Sequence, residues 1–187
     1  MEHLESKAAD TPVSVQDKPK SSKKKKKRTA KYYLTELLIK MGFTVAVLCI
    51  LLNFIVAVNV CHDNSAYPMI KDGDFCLTYR LAEIRQGDPV SYRDGDKIRF
   101  ARVIAFGGDT VDIQNDAVEV NGIHIAENVV YPTAKGNGIA FPYTIPDDCV
   151  FVLNDYRSDL SDSRELGGIR LSDIQGAVVF IMRRRGI

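Results

Sequence analysis

The stretch IRFARVIAFGGDTVDIQNDAVEVNGIHIA (residues 98–126) decides the fold class, because short apolar runs in it are separated by turn residues. Its clearest feature is Asn121-Gly122, which lies between the runs Ala117–Val120 and Ile123–Ala126. An Asn-Gly pair in this position favours the tight turn of a β-hairpin. The runs are too short for helices, so the stretch predicts antiparallel strands.

The same pattern of strand and turn signals continues on both sides of this stretch. After residue 61 no segment has a long apolar period of 3.6 residues, and no repeat is visible. The predicted strands are Phe75–Leu81, Pro89–Tyr92, Ile98–Phe106, Thr110–Ile113, Val118–Val120, Ile123–Ala126, Val150–Leu153 and Ala177–Met182. Residues 61–187 are therefore expected to form one mainly β domain that is antiparallel, barrel-like and poor in helix.

An apolar run precedes this domain. Met41–Val60 reads MGFTVAVLCILLNFIVAVNV and contains no charged residue. Twenty helical residues rise about 30 Å, the thickness of a bilayer's hydrocarbon core. We expect residues 34–60 to form a single transmembrane helix. A buried core helix is the alternative, but the run has no polar face, and a cleaved signal peptide would have a much shorter segment before it.

The positive charge of the chain is confined to its N-terminal part. The 187 residues include 25 Lys+Arg and 24 Asp+Glu, yet residues 1–60 hold 11 basic residues against 5 acidic ones. A basic cluster, residues 18–31, directly precedes the apolar run, and such clusters stay on the cytoplasmic side. Residues 1–33 are expected to be a disordered, basic, cytoplasmic tail whose lysines attract anionic lipid. The domain would then lie outside the cytoplasm, anchored to the cell membrane by one pass.

The basic cluster and the spacing of the cysteines and histidines limit which partners and cofactors are expected. Because the basic cluster adjoins an apolar span, we expect membrane lipid and no nucleic acid as its partner. The cysteines at positions 49, 61, 76 and 149 form no C-x-x-C pair, and no paired histidine spacing is present. Neither a metal site nor a cofactor is expected. Cys61 and Cys76 are compatible with a disulfide outside the cytoplasm and equally with free thiols.

Four segments of the exported part occur in a fixed order after one N-terminal span. They are NSAYPM at 64–69, GDPV at 87–90, ARVIAFGGDTV at 101–111, and NDYR followed by DSRELG between 154 and 167. This order resembles type I signal peptidases, whose blocks read S-M-x-P-T, G-D-x-V, K-R-V-I-G-x-P-G-D and G-D-N-R-x-x-S-x-D-S-R-x-x-G. The resemblance covers about residues 35–185.

The resemblance implies a membrane-tethered serine endopeptidase of mostly β fold that removes signal peptides from exported preproteins. In that family a serine nucleophile is activated by a lysine, which can act as a base once desolvation lowers its pKa. By register Ser65 is the nucleophile, and its backbone N–H would help to form the oxyanion hole. Arg102, Asp162 and Arg164 match positions that support the catalytic neighbourhood.

The sequence departs from the family at the lysine, because that position is occupied by Ala101. Arg102 cannot replace a base, since its guanidinium stays protonated and alternate residues of a strand face opposite sides. Lys97 has the parity of position 101 but lies about 13 Å away along a strand. Other departures are Asp63, where some members have an oxyanion-hole hydroxyl, Leu160 in place of a serine with Ser161 shifted by one, and Ala66 and Met69 beside the nucleophile.

His62, three residues before Ser65, is a possible alternative base, because histidine titrates near pH 6.5 and is the commonest general base. The alternative is a solvated loop histidine at the membrane surface. His124, Lys71 and Lys97 are expected to be solvated side chains beside turns.

Two functions remain open at this point. The first is a signal peptidase I-like serine endopeptidase that acts on exported preproteins with an unconventional base. The second is a catalytically inactive member of the same family that serves as a peptide-binding or chaperone-like module at the membrane and holds an extended peptide along a strand edge. Signal peptides are the expected partner in both.

Overall fold

The computed structural model describes residues 30–127 and 129–183 of the chain. The predicted tail lies outside the described residues except for residues 30–33, which are helical. Helix α1 spans Ala30–Ile55, and none of its residues is buried. By length and composition it can cross a membrane, in agreement with the predicted single span.

The end of α1 differs from the sequence prediction, which placed residues 34–60 in the helix. The chain instead leaves the helix after Ile55, and Val56–Val60 forms strand β1. This strand pairs antiparallel with β2, Phe75–Tyr79. A run that is apolar throughout has no period that separates helix from strand, so the position of this boundary depends on the tertiary partner.

The rest of the domain is built from short strands, as predicted. They are β3 Pro89–Asp94, β4 Lys97–Phe106, β5 Thr110–Gln114, β6 Ala117–Val120, β7 Ile123–His124, β8 Tyr143–Thr144, β9 Cys149–Leu153, β10 Ile169–Arg170 and β11 Ile174–Met182. The helical segments are one turn, α2, at Ser163–Leu166 and a 3-10 turn at Leu171–Asp173. The predicted hairpin is confirmed as β6–β7, with Asn121 and Gly122 at φ of 53° and 77°.

Two sheets carry the fold, and every strand pairing in them is antiparallel. One has seven strands in the order β1-β2-β11-β3-β4-β9-β10, and the other has four in the order β7-β6-β5-β8. The mainly β class is confirmed. Within the described ranges, neither sheet closes on itself. The barrel-like core that the sequence predicts is therefore formed by two open sheets.

Strand β4 links the hydrophobic core. The core has three clusters, and β4 contributes Ile104 to the first, Phe100 to the second and Ala101 to the third. Close packing on several sides leaves β4 little freedom to shift. The residues around position 101 are therefore held rigidly by the fold.

Candidate active site

Ser65 lies in the loop between β1 and β2. The loop is closed at its base, where the N–H of Cys61 donates to Asp74 O and the N–H of Gly73 donates to Cys61 O, both at 2.9 Å. The carbonyl of Ser65 accepts the N–H of Tyr156 at 2.9 Å. Because Tyr156 lies three residues after the end of β9, this bond ties the loop of Ser65 to the segment that follows β9.

Both hydrogen-bond donors of Ser65 go to one carboxylate. The Oγ of Ser65 donates to Oδ1 of Asp63 at 2.6 Å, and its backbone N–H donates to the same oxygen at 3.0 Å. Ser65 is only 2 % exposed. The backbone N–H expected to stabilise an oxyanion is thus occupied by a negatively charged acceptor, which would repel an oxyanion.

The same local geometry occurs a second time. The Oγ and the N–H of Ser161 donate to Oδ1 of Asp159 at 2.6 and 2.9 Å. Asp-x-Ser is a pattern in which the aspartate folds back on the backbone two residues later. The Ser65–Asp63 bond is therefore a turn motif of the chain, and by itself it does not indicate an activated nucleophile.

Position 101 supplies no base. Ala101 is 4 % exposed and packs in one cluster with Val90, Tyr92 and Val103. Among the described residues, Ser65 makes no hydrogen bond to a lysine or histidine side chain, and Asp63 accepts its Oγ. Ala101 therefore lies in the core, and its methyl group cannot accept a proton.

A cation lies two residues earlier on the same strand. The Nε of Arg99 donates to Asp94 at 2.6 Å, and its Nη1 donates to Oγ of Ser161 at 3.1 Å. Burial opposes the charge of Arg99, but the hydrogen bond to Asp94 and the surrounding negative charges raise its pKa overall. Arg99 therefore stays protonated and cannot replace a lysine base.

Tyr92 lies beside this arginine. It is the β3 residue paired with Arg99 and is fully buried, and its hydroxyl has no hydrogen-bond partner in the part of the chain that the structure describes. Burial raises the pKa of this hydroxyl, and charges on Arg99, Asp162 and Asp63 also act on it. A buried polar group without a partner is costly and requires an explanation.

The residues expected to support the site form two ion pairs. Arg164 and Asp162 are bonded at 2.7 Å, and both side chains are fully buried. The oxygens of Asp162 also accept the N–H groups of Arg164 and Asn154, so it caps α2 and fixes the loop after β9. Arg102 binds Asp155 with two hydrogen bonds of 2.7 and 2.8 Å, which raise the pKa of Arg102.

A groove of about 710 Å³ lies beside Asp63. Its lining residues are Val58, Asn59, Val60, His62, Asp63, Asp96, Lys97, Ile98, Arg99 and Asp159. The groove has strand edges on two sides. β1 is the terminal strand of its sheet, and β9 pairs with β4 only from Arg102 onward, so residues 97–101 have a strand partner on one side only.

The other candidate bases lie apart from the hydroxyl. His62 and Lys97 are exposed and line the groove, but neither bonds to Ser65. His124 is exposed and lies 3.1 Å from Glu119 across the β6–β7 hairpin. The ammonium of Lys71 lies 5.2 Å from the centre of the Tyr67 ring.

The cysteines outside the helix are free thiols. Cys61, Cys76 and Cys149 are buried and unbridged. Burial is the largest effect that raises the pKa of Cys61 to about 11 and of Cys76 to about 12. In residues 30–127 and 129–183, no group of three or more His, Cys, Asp or Glu side chains is arranged to hold a metal.

Sequence reasoning missed three residues of the site, Arg99, Tyr92 and Asp159. For Asp159 the sequence contains a signal, because Asp63-Asn64-Ser65 and Asp159-Leu160-Ser161 share the pattern Asp-x-Ser. Arg99 and Tyr92 had no such signal, since their importance comes from the β3–β4 register.

Comparison with known proteins places the chain in a family. Residues 34–183 match the family model described as signal peptidase, peptidase S26. The chain is 29% identical over 184 residues to a signal peptidase I of Bacillus amyloliquefaciens, which covers 90% of this chain and 94% of the relative. It is 30% identical over 144 residues to signal peptidase I S of Bacillus subtilis strain 168, a match that covers 69% of this chain and 78% of the relative.

Another relative is named as inactive. The inactive signal peptidase IA of Staphylococcus aureus strain MRSA252 is 25% identical over 166 residues, covering 81% of this chain and 90% of the relative. Among solved structures, a signal peptidase I from Enterococcus faecalis V583 matches with a TM-score of 0.46 and 22% identity, covering 53% of this chain and 99% of that one.

Proposed function

The chain belongs to the signal peptidase family, peptidase S26, and on this basis we propose that it binds an extended segment of an exported preprotein beside Ser65 but hydrolyses it slowly or not at all. This is the second of the two functions that the sequence left open. The family supplies the substrate class, signal-peptide-bearing preproteins. The geometry around Ser65 supports binding without efficient turnover.

The observation that carries this proposal is the hydrogen bonding of Ser65. Its hydroxyl and its backbone N–H are both bonded to Asp63. A serine hydroxyl is a weak nucleophile without an adjacent base, and positioned proton transfer contributes about 10²-fold to 10⁴-fold to rate. With Ala101 at the base position, this contribution is missing.

The groove supports the binding part of the proposal. The free edges of β1 and of residues 97–99 in β4 both line it. An extended peptide can add to such an edge through main-chain hydrogen bonds, while pockets between the strands receive its alternate side chains. Hydrolysis is not required for this mode of binding.

The helix α1 and the basic cluster in the sequence support a position of the groove at the membrane. The helix ends at Ile55 and β1 begins at the next residue, so the groove-lining residues 58–60 follow the span at once. With the basic cluster retained in the cytoplasm, the groove would face the extracytoplasmic side of the cell membrane. A preprotein that leaves the membrane on that side would meet the groove directly.

A serine endopeptidase with an unconventional base is the second candidate. The 2.6 Å bond from Ser65 Oγ to a carboxylate favours it, because a carboxylate can accept a proton. The identical bond between Ser161 and Asp159 weakens this interpretation. His62 would have to turn from solvent towards Ser65 to serve instead.

Hydrogen exchange of the full-length protein in detergent tests the proposed binding mode. The test peptide is taken from a preprotein and contains two small residues separated by one residue, the pattern at signal-peptide cleavage sites. It should slow exchange in Val56–Val60 and in residues 97–101. Exchange in Ala117–Val120, which lies in the other sheet, should not change. Saturable binding that leaves both groove edges unprotected would refute the proposed mode.

A further inference from the structure

The groove beside Asp63 contains more negative than available positive charge. Three carboxylates line it, on Asp63, Asp96 and Asp159, against the cations of Lys97 and Arg99. Arg99 is already bonded at 2.6 Å to Asp94. Within the described ranges neither Asp63 nor Asp159 has a cationic nitrogen within 4.0 Å.

The oxygens of the two Asp-x-Ser turns are only partly satisfied. In each turn Oδ1 accepts from the serine two residues later. For Asp63 and Asp159 no bond to Oδ2 is found in the described part of the chain. A carboxylate has about four acceptor sites, so both retain capacity for a further donor.

A second polar group in this region also lacks a hydrogen-bond partner. The hydroxyl of Tyr92 is buried and has no partner within the described part of the chain. Paired residues of an antiparallel ladder share a face, so Tyr92 lies on the face of Arg99, which lines the groove. Charges on Arg99 and Asp63 also act on this hydroxyl. An ammonium group there would give it a hydrogen-bond donor.

Within the described residues, no lysine ammonium of the chain lies within 4.0 Å of Asp63 or Asp159. The neighbouring position from which the family projects a lysine is Ala101, which has only a methyl group. Arg99 offers a cation, but Asp94 and Ser161 already accept two of its N–H groups. The carboxylates of Asp63 and Asp159 are thus left with free acceptor capacity and no ammonium group between them.

We propose that the peptide bound in the groove brings its own ammonium group, on a lysine side chain, which lies between Asp63 and Asp159. This rests on the proposed function and specifies its ligand. A lysine ammonium is a compact charge with three rotatable donors, so it can bind two carboxylates that approach from different sides. An arginine would need a planar pair of acceptors.

Three N-acetylated peptides that differ at one residue test the proposal on the full-length protein in detergent. The test position carries lysine, acetyl-lysine or glutamate, and fluorescence anisotropy gives each Kd. A charge-assisted hydrogen bond contributes about 1.5–3 kcal/mol, so the lysine peptide should bind at least about tenfold more tightly than the other two. Scanning the lysine along the peptide should locate one preferred position.

Matched variants locate the effect in the groove. Asp63→Asn and Asp159→Asn keep an acceptor for their turns but remove the charge, and each should abolish most of the preference for lysine. Asp116→Asn is the control, because it removes an exposed carboxylate outside the groove at a positive φ that asparagine tolerates. Equal losses in all three variants would mean long-range attraction and would overturn the proposed site.

The remaining outcomes separate this inference from the proposed function. Equal binding of all three peptides, or tighter binding of the glutamate peptide to Arg99, overturns the lysine proposal and leaves peptide binding intact. No saturable binding of any peptide overturns both. A fourth peptide carries acetyl-lysine at the test position and a free N-terminus. If it alone binds, the ammonium of a chain end is the ligand, and the assignment to a side chain is wrong.

Discussion

The carboxylate of Asp63 holds both donors of Ser65, the hydroxyl at 2.6 Å and the backbone N–H at 3.0 Å. A substrate carbonyl that needs the N–H of Ser65 must therefore displace a charged acceptor. The hydroxyl must in addition lose its proton without help from position 101. Position 101 thus offers no base and the N–H of Ser65 is not free, and these two features lead to separate predictions.

Replacement of Ala101 by lysine should create or greatly increase Ser65-dependent cleavage of a preprotein. A positioned base contributes about 10²-fold to 10⁴-fold, so the gain should be plain in a detergent assay. Ala101→Met is the matched control, because methionine has a similar length but no amine. Equal rates for the lysine and methionine variants would show that position 101 does not supply the base.

Removal of the Asp63 carboxylate should help only after a base is present. In the Ala101→Lys background, Asp63→Ser frees the N–H of Ser65 for an oxyanion, and one such donor contributes about 10²-fold to 10³-fold to kcat. We expect a further gain of at least about tenfold in initial rate. Asp116→Asn in the same background should leave the rate unchanged. A slower Asp63→Ser double variant would indicate that the carboxylate assists catalysis.

The buried pair Arg164–Asp162 should be a stability element of the domain. Both side chains are fully buried, and Arg164 also donates to the carbonyl oxygens of Arg157 and Asp159. Arg164→Ala should lower the free energy of unfolding by about 3–5 kcal/mol, because it leaves a buried charge without its partner. Urea denaturation followed by circular dichroism measures this. Arg85→Ala, which breaks an exposed pair with Glu83, should cause little change.

The two buried thiols near Ser65 should make the fold sensitive to high pH. The pKa is raised from 9.0 to about 11 for Cys61 and to about 12 for Cys76, chiefly by burial. Above pH 9 the unfolded chain loses these protons while the folded chain keeps them, so the free energy of unfolding falls as pH rises towards 11. The double variant Cys61→Ala, Cys76→Ala should lose less stability over this range. Parallel curves for the two proteins would contradict the prediction.

Most strands of the domain were predictable, because turn residues mark their ends. Asn121-Gly122 gave its hairpin correctly for this reason. The boundary between α1 and β1 was not predictable, since Val56–Val60 is as apolar as the helix before it and becomes a strand by pairing with β2. The two-residue strands β8 and β10 carry no local pattern and depend on their partners.

Candidate residues that depend on position along the chain could be named from the sequence, and their roles stay predictions, whereas residues that depend on strand register were missed. The motif order pointed to Ser65 and to the alanine at position 101. The roles of Arg99 and Tyr92 arise from their pairing across β3 and β4, and from the Ser161 hydroxyl that the loop after β9 brings to Arg99. Such contacts between distant segments leave no trace in either segment alone.

A single-turnover experiment tests the central claim most directly. An excess of the full-length protein in detergent is mixed with a labelled preprotein, and bound and cleaved fractions are measured in the same sample over time. We predict that the preprotein becomes bound and remains intact, at a cleavage rate equal to that of Ser65→Ala. A rapid phase of cleavage that Ser65→Ala abolishes would contradict the account and show that this chain is an active serine endopeptidase.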